Sequence, residues 1–323
     1  MTGKNKVLIV FFILLLIAVS ACNPEARKKK STDGVKGTNG LIIKFVENSP
    51  QDSYLMDEEE EDIFISLEVR NKGAYPEEDE QNVLSRGQVY LGGFDKTIIE
   101  MDDISKRLNA GFLTGLSSIN PEGGFDTVEF EGVIEPDTIV DKYEPTILAT
   151  LCYPYITKAS PSVCIDPFPF DDKQKKVCKI GSQALSSQGA PIMVTSVDQE
   201  ASSSRMQFKI NIKNVGNGDA VRFNSLEKCD PSGDERIDRD DIDRVELVNV
   251  RAGLSSLTCG PFADNRRNIR LYNNEGFVIC TLDRADFEDA NSAYTTPLNI
   301  ELRYGYRSTI SKKIKISKIT SVS

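Results

Sequence analysis

Two nine-residue stretches, ISLEVRNKG at residues 65–73 and FKINIKNVG at residues 208–216, indicate the fold class of this 323-residue chain. Apolar and polar side chains alternate in both, which places one face of a β-strand in a core and the other in water. Both stretches end in Asn-x-Gly, where we expect a turn that needs a glycine at positive φ. Their shared pattern, offset by 143 residues (65 to 208), indicates an internal repeat.

The ends of the two halves match without a gap, from Tyr143 and from Tyr294 onward, at an offset of 151 residues. In this alignment Tyr153-Pro154-Tyr155 falls on Tyr304-Gly305-Tyr306. A repeat of roughly 150 residues made of short alternating strands predicts an all-β fold with two tandem immunoglobulin-like β-sandwiches. We place the first sandwich at residues 41–170, a linker at 171–189 and the second sandwich at 190–323, with short helices only at 101–110 and 284–291.

The first 22 residues read as an export signal. Lys4 and Lys6 precede an apolar run at residues 7–19, which is shorter than the roughly 20 residues that span a bilayer. The next residues complete Val19-Ser20-Ala21-Cys22, which resembles the lipobox of prokaryotic lipoproteins. This resemblance implies that Cys22 is acylated and becomes the mature N-terminus. An uncleaved signal anchor and simple secretion are the alternatives.

Residues 23–40 read as a flexible tether, because Ser, Thr, Gly and Asn separate basic side chains and no apolar run could form a core. The tether keeps the chain soluble, or it lies against anionic headgroups beside the anchor. Either role places the protein outside the cytoplasm, anchored to the outer face of the cytoplasmic membrane.

Cysteine counting supports export. If Cys22 carries lipid, six cysteines remain, and three disulfides are expected in an oxidising compartment. No CxxC spacing favours a zinc or thioredoxin-like site. Strand parity turns Cys152 and Cys164 away from the core on a hairpin centred near Lys158, which predicts a Cys152–Cys164 bridge. Of the other four, Cys178 could link the linker to the second domain, and Cys229 could pair with Cys259. The last is Cys280.

Composition excludes several classes of protein. The chain has no His, so Ser-His-Asp hydrolases, Cys-His proteases and His-ligated zinc enzymes are ruled out. Its 39 Lys and Arg against 49 Asp and Glu give a net charge of −10, which argues against nucleic acid as a partner. No P-loop, GxSxG or dinucleotide fingerprint is present. We therefore expect no enzymatic activity and no cofactor, apart from a candidate calcium site.

That candidate is the loop at residues 230–241, where oxygen-bearing side chains recur at positions 1, 3, 5, 9 and 12, as in EF-hand-type calcium loops. The loop has Glu at position 6 instead of Gly, and no clear helix pair flanks it. A solvated acidic loop is the alternative, and we expect the same of the acidic run at residues 57–62. The candidate calcium ligands are Asp230, Ser232, Asp234, Asp238 and Asp241.

The Asn-x-Gly strand ends resemble the adhesion-related, CARDB-like immunoglobulin-like domains of prokaryotic cell surfaces. Leu91-Gly92-Gly93-Phe94-Asp95 and the run at residues 145–166 look like parts of uncharacterised envelope lipoproteins of archaea. This resemblance implies an extracytoplasmic β-sandwich protein and brings no known activity. We expect a non-enzymatic structural or interaction module whose partner is a surface protein or a glycan. The alternatives are a calcium-dependent adhesin and an enzyme that cleaves envelope polysaccharide with a carboxylate pair.

The four repeat-related tyrosines leave two interpretations open. In the first, all four side chains form a carbohydrate-stacking surface. In the second, Tyr153 and Tyr304 pack in the cores, while Tyr155 and Tyr306 cover sheet faces.

Overall fold

A computed structural model describes residues 37–77, 83–139, 141–171, 175–231, 233–288 and 290–319. The predicted signal, Cys22, most of the tether and Ser232 lie outside the described residues. All described residues belong to one compact unit, Val35–Ser323, and the chain's other unit is Met1–Gly34.

The described chain is all-β, as predicted. Of the helix predicted at 284–291, only Arg284–Asp286 is helical. The helix predicted at 101–110 is wrong, because a strand, Ser105–Arg107, lies there. The five 3₁₀ helices of the described residues are Val83–Arg86, Ala110–Phe112, Pro136–Thr138, Phe223–Cys229 and Arg284–Asp286. The strands are Leu41–Phe45 (β1), Ser53–Met56 (β2), Glu61–Asn71 (β3), Gln88–Gly92 (β4), Ile99–Met101 (β5), Ser105–Arg107 (β6), Phe125–Ile134 (β7), Lys142–Tyr143 (β8), Thr146–Ala159 (β9), Ser162–Ile165 (β10), Ser182–Ala184 (β11), Ile192–Ala201 (β12), Arg205–Asn214 (β13), Asp219–Val221 (β14), Arg244–Ala252 (β15), Ser255–Ser256 (β16), Thr258–Gly260 (β17), Asn268–Arg270 (β18), Glu275–Asp283 (β19), Tyr294–Lys313 (β20) and Lys315–Lys318 (β21).

The strands form two flanking sheets, a central sheet and a small sheet. The first flanking sheet has the order β1-β3-β7-β5 and the second β11-β12-β13-β19-β17. The central sheet runs β16-β15-β20-β9-β4-β6, with β10 and β14 also on β20 and β18 on β15, and so joins strands of both halves. The small sheet, β2-β21-β8, joins them as well. Both predicted repeat strands, β3 and β13, lie inside flanking sheets and bury alternate side chains.

The two repeat ends meet in the central sheet. Strand β9 pairs antiparallel with β20 from Thr146 opposite Lys313 to Ala159 opposite Ile300, and β10 continues along β20 in the same register. Pro154 lies opposite Gly305, its own equivalent in the repeat. Positions on either side of this pair are therefore related by an approximate twofold axis. The predicted domains at 41–170 and 190–323 share one sheet, and their bounds stay a prediction.

All four repeat-related tyrosines are buried on the face of the central sheet that meets the flanking sheets, which we call the core face. The rings of Tyr153 and Tyr306 lie 5.9 Å apart, and those of Tyr155 and Tyr304 lie 6.3 Å apart. Burial raises the pKa of all four phenols, so the cluster stays neutral. The prediction of a carbohydrate-stacking surface is wrong, and so is the placement of Tyr155 and Tyr306 on sheet faces, because all four side chains close the core where the halves meet.

The Asn-x-Gly motifs anchor the flanking sheets to this cluster. Tyr155 donates a hydrogen bond to Oδ1 of Asn71 over 3.3 Å, and Tyr306 donates to Oδ1 of Asn214 over 3.1 Å. Each asparagine oxygen also accepts the backbone N–H of the motif glycine, Gly73 or Gly216. The motif therefore fixes a turn at the strand end and satisfies a buried phenol, in both halves alike.

The glycines of these motifs leave room for atoms that lie close to the backbone. Neither Gly73 nor Gly216 is among the glycines with positive φ, so the reason we gave for the motif is wrong. A Cβ at Gly73 would lie 2.0 Å from the Tyr155 hydroxyl oxygen and 2.5 Å from the carbonyl oxygen of Asn39. At Gly216 it would lie 2.3 Å from the Tyr306 hydroxyl oxygen.

We expect the substitution Gly73→Ala to lower the free energy of unfolding by about 3 kcal/mol, because the added methyl group overpacks a site closed by backbone atoms. Gly92→Ala is the matched control, since a Cβ there meets nothing within 4 Å. Urea denaturation of the two variants measures the difference. Equal stability of both variants would contradict the close-approach explanation.

Six cysteines form three disulfides, as the count predicted, but the predicted pairs are wrong. The bonds are Cys152–Cys229, Cys164–Cys178 and Cys259–Cys280. Cys152 lies opposite Arg307 and Cys164 opposite Thr295 on β20. At about 3.3 Å per residue the two cysteines are about 40 Å apart along the strand direction, because β9 and β10 follow one another and form no hairpin.

Candidate functional site

A segment between β14 and β15 crosses the second face of the central sheet, opposite the core face. We call residues 222–243 the strap; the predicted calcium loop lies within it. Leu226 covers Gly305, where an added Cβ would lie 2.7 Å from Leu226 Cδ2. Cys229 is bonded to Cys152, and both pack with Tyr90 and Leu226 in a small apolar cluster. The strap is thus fixed to strands from both halves of the chain.

Asp241, the last predicted calcium ligand, holds the strap together. Its carboxylate accepts hydrogen bonds from the Ser225 hydroxyl at 2.7 Å and from Lys228 Nζ at 2.9 Å, and Arg222 Nε lies 3.5 Å away. Burial by itself would raise the pKa of Asp241, but these hydrogen bonds outweigh it and lower the pKa. The carboxylate therefore remains charged and is occupied by protein cations.

The other predicted calcium ligands are dispersed. Asp238 Oδ1 accepts the backbone N–H groups of Asp240 and Asp241 and closes a local turn. Asp234 is exposed, and Asp230 lines two neighbouring grooves. Across the described residues no group of three His, Cys, Asp or Glu side chains is arranged to hold a metal ion. Calcium binding by this loop stays a prediction, and the geometry gives two of its five ligands other partners. The acidic run at residues 57–62 is exposed, as expected, but it is not all loop, because its last two residues begin β3.

Asp264 anchors the strap from the neighbouring loop. It accepts hydrogen bonds from Arg222, from both the backbone and the side chain of Asn268, and from the backbone of Arg266. Burial would raise its pKa, yet these donors outweigh burial and lower the pKa to about 2. In the unfolded chain the same carboxyl has a pKa near 3.9.

The Asp264 carboxylate should therefore stabilise the fold above about pH 4 and lose this effect as the pH falls toward 2. We expect Asp264→Asn to reduce the free energy of unfolding by about 2 kcal/mol at pH 7, with the deficit shrinking steadily below pH 4. Urea titrations of both proteins at pH 7, 4 and 3 measure this. A deficit that does not change with pH would show that the ionised carboxylate is not the cause.

Two grooves flank the strap. The smaller, about 190 Å³, lies beside Arg86, Arg107 and Glu227, and there burial, with the charges of Asp230 and Glu227, raises the pKa of Tyr90 to about 12. The larger, about 500 Å³, we call the strap groove. Its lining is predominantly polar and consists of Thr150, Asn217, Gly218, Asp219, Lys228, Cys229, Asp230, Pro231, Arg236, Ile237, Arg307, Ser308 and Thr309.

The strap groove is built from both halves of the chain. Thr150 on β9 and Thr309 on β20 lie opposite each other, and their hydroxyl oxygens are 3.0 Å apart. Arg307 donates two hydrogen bonds to Oδ2 of Asp219, at 2.7 and 3.2 Å. At the rim, Arg236 is exposed and forms no ion pair with any described residue. The groove is therefore a mostly polar cleft with mixed charge, lined by hydroxyl groups and one amide side chain.

Reasoning from the sequence identified only the strap side of this groove. Asp230 was singled out for its spacing, but Thr150, Asp219 and Arg307 carry no motif. They converge because β9 and β20 are paired. The repeat alignment contained a signal for this pairing, because the sequences around Pro154 and Gly305 share one pattern at an offset of 151 residues.

The fold and its bonds define an all-β protein stabilised by three disulfides, which indicates an oxidising environment outside the cytoplasm. Comparison with protein-family models and with curated proteins gives no match. In the part of the chain that the structure describes, no helix is both long and apolar enough to cross a membrane.

Proposed function

We propose that this protein is a non-enzymatic structural and interaction module, lipid-anchored through Cys22 on the outer face of the cytoplasmic membrane, which binds a surface partner at the strap groove. The observation that carries the proposal is the fixation of the strap. A disulfide, an apolar cluster and the Asp241 network hold it in one arrangement before any partner binds. A preorganised surface loses less conformational entropy on binding.

The charges in the groove support binding more than catalysis. An envelope-polysaccharide enzyme would need two carboxyl groups with separate proton-transfer roles. Asp219 and Asp230 both line the groove, but Asp219 accepts two hydrogen bonds from Arg307 and so serves in a fixed ion pair. The resemblance to archaeal envelope lipoproteins with adhesion-related domains supports the same proposal, and a calcium-dependent adhesin is the alternative for the strap loop.

Site-specific crosslinking on intact cells tests the proposal. A photoreactive residue replaces Arg236 at the groove rim in one variant and Leu254, which is 91% exposed in a turn far along the sheet, in the control. We expect a discrete crosslinked product from position 236 and none from position 254, and lipid on Cys22 by mass spectrometry. Identical products from both positions, or no product from position 236, would contradict the assigned surface. An unmodified Cys22 would contradict the anchor.

A further inference from the structure

A further groove lies on the outer face of the second flanking sheet, away from the core. It has a volume of about 460 Å³ and spans β12, β13 and β19. Along β13, Asn211 and Lys213 alternate with the buried Ile210 and Ile212, which places the first two side chains on the outer face. Phe277 on β19 is 50% exposed at one side of the groove. We call this cleft the Phe277 groove, and its polar lining residues are Thr195, Ser196, Asn211, Lys213 and Glu275.

Hydrogen bonds within the protein fix the polar groups of the Phe277 groove. The side-chain amide of Asn211 donates to Ser196 Oγ at 2.9 Å and to Asp198 Oδ2 at 2.8 Å. Both of its N–H groups are thus used, and its Oδ1 atom keeps its capacity to accept. Lys213 donates to Glu275 Oε1 at 2.7 Å, which leaves two ammonium N–H groups and the second carboxylate oxygen for a ligand. The groove therefore offers donors and acceptors in a fixed arrangement with paired charges.

The first half of the chain has an equivalent phenylalanine whose ring is covered. Phe125 begins β7 after a glycine, as Phe277 follows Gly276, and both phenylalanines are 50% exposed. The residue directly opposite Phe125 is Arg70, whose guanidinium lies 4.7 Å from the ring centroid and is fixed by a 2.9 Å ion pair with Glu68. The residue directly opposite Phe277 is Asn211. The shorter amide leaves the space beside the Phe277 ring open.

A lysine covers the Phe277 ring from the side away from the groove. The Lys209 ammonium lies 4.8 Å from the ring centroid. Lys209 lies opposite Ile279, one row further along the sheet than Phe277, and it does not line the groove. The pair of Lys213 and Glu275 lies one row in the other direction. The second face of the ring is therefore turned toward the groove and its hydrogen-bonding groups.

The chemistry of the groove favours a neutral saccharide. A nucleotide or another anionic ligand needs an unpaired cation, whereas Lys213 is paired with Glu275. A protein partner buries a cluster of apolar side chains, whereas among the described residues that line the groove Phe277 is the one exposed large apolar side chain. A pyranose ring has an apolar C–H face that packs on an aromatic ring, and its hydroxyl groups both donate and accept hydrogen bonds.

We propose that the Phe277 groove binds a neutral saccharide. One face of a sugar ring packs against Phe277, and its hydroxyl groups donate to Asn211 Oδ1 and Glu275 and accept from Lys213. The site lies on a flanking sheet, so it is separate from the strap groove and does not depend on the partner proposed there.

An array of neutral and anionic glycans, followed by affinity measurements with the strongest ligand, tests the proposal. The variant is Phe277→Ala, and the matched control is Phe125→Ala, which removes an equally exposed phenylalanine from the equivalent position. We expect the wild type and the control to bind neutral glycans with equal affinity. Phe277→Ala should bind about fivefold to tenfold more weakly, because the contact between the sugar and the aromatic ring is lost.

Amide chemical shifts of the wild type during titration with the same glycan locate the site without a variant. We expect shifts at residues 211–213 and 275–277 and none at the strap, residues 222–243. Failure to bind any glycan, or binding of anionic glycans alone, would overturn the proposal. Equal affinities of Phe277→Ala and Phe125→Ala would overturn it as well, and so would shifts confined to the strap, which would place the glycan in the strap groove.

Discussion

Residues 37–171 and residues 175–319, expressed as separate fragments, should each lack a cooperative unfolding transition. Each fragment would lose the pairing of β9 with β20, which joins fourteen residues of one half to fourteen of the other, from Thr146 opposite Lys313 to Ala159 opposite Ile300. Each would also expose two of the four buried tyrosines. Removing a single large aromatic side chain from a core costs about 3–5 kcal/mol, and the whole fold is stable by about 5–15 kcal/mol.

Further contacts between the halves add to this cost. The Thr157 hydroxyl donates to the carbonyl oxygen of Ile192 at 2.6 Å and lies 2.9 Å from the Tyr304 hydroxyl. Strand β2 from the first half pairs parallel with β21 at the end of the second. Neither half can satisfy these groups alone, and an unpaired edge as long as β20 favours aggregation.

Near-ultraviolet circular dichroism and size-exclusion chromatography of each fragment measure the effect. Coexpression of the two fragments is the control, because it restores the β9 and β20 pair and should restore a cooperative transition. A fragment that unfolds cooperatively as a monomer would show instead that the domains predicted at 41–170 and 190–323 are independent folding units.

The alternation at residues 65–73 and 208–216 was sufficient to predict the all-β class, because side-chain period alone assigns a half-buried strand. The repeat offset was sufficient to locate equivalent strands. Neither signal states which strands are neighbours, so the shared central sheet was not predicted. The error about the Cys152–Cys164 bridge follows from this, since a hairpin at Lys158 would bring Cys152 to Cys164, and a continuous run along β20 separates them.

The strap groove was beyond prediction for a related reason. Its residues come from β9, the turn before β14, β14 itself, β20 and the strap, and only the strap has a recognisable spacing. That spacing suggested calcium, but Asp241 accepts hydrogen bonds from Ser225 and Lys228, which lie nearby only after folding. Asp238 accepts the backbone N–H groups two and three residues further along the chain. Oxygen-rich spacing specifies possible ligands, whereas the tertiary structure decides which cation they meet.

Removal of the Cys152–Cys229 disulfide should lower the stability of the fold by a large amount. The bond closes a loop with a sequence separation of 77 residues and links strand β9 of the first half to the strap of the second. A cross-link of this span stabilises a fold by about 4.5 kcal/mol in the chain-entropy model, compared with about 3 kcal/mol for a span near 15 residues. We expect Cys152→Ala/Cys229→Ala to lose about 4–5 kcal/mol.

The matched control is Cys164→Ala/Cys178→Ala, whose bond has a separation of 14 residues and links β10 to the predicted linker at residues 171–189. Urea denaturation compares the two losses, and hydrogen exchange of the strap amides reports where each acts. We expect faster exchange at residues 222–243 only in the first variant, because Leu226 and the Asp241 network then hold the strap without a covalent link. If the control lost as much stability, or if strap exchange stayed at the wild-type rate in the first variant, the strap would be fixed by packing and ion pairs alone, and the preorganisation on which the proposed binding surface depends would need no disulfide.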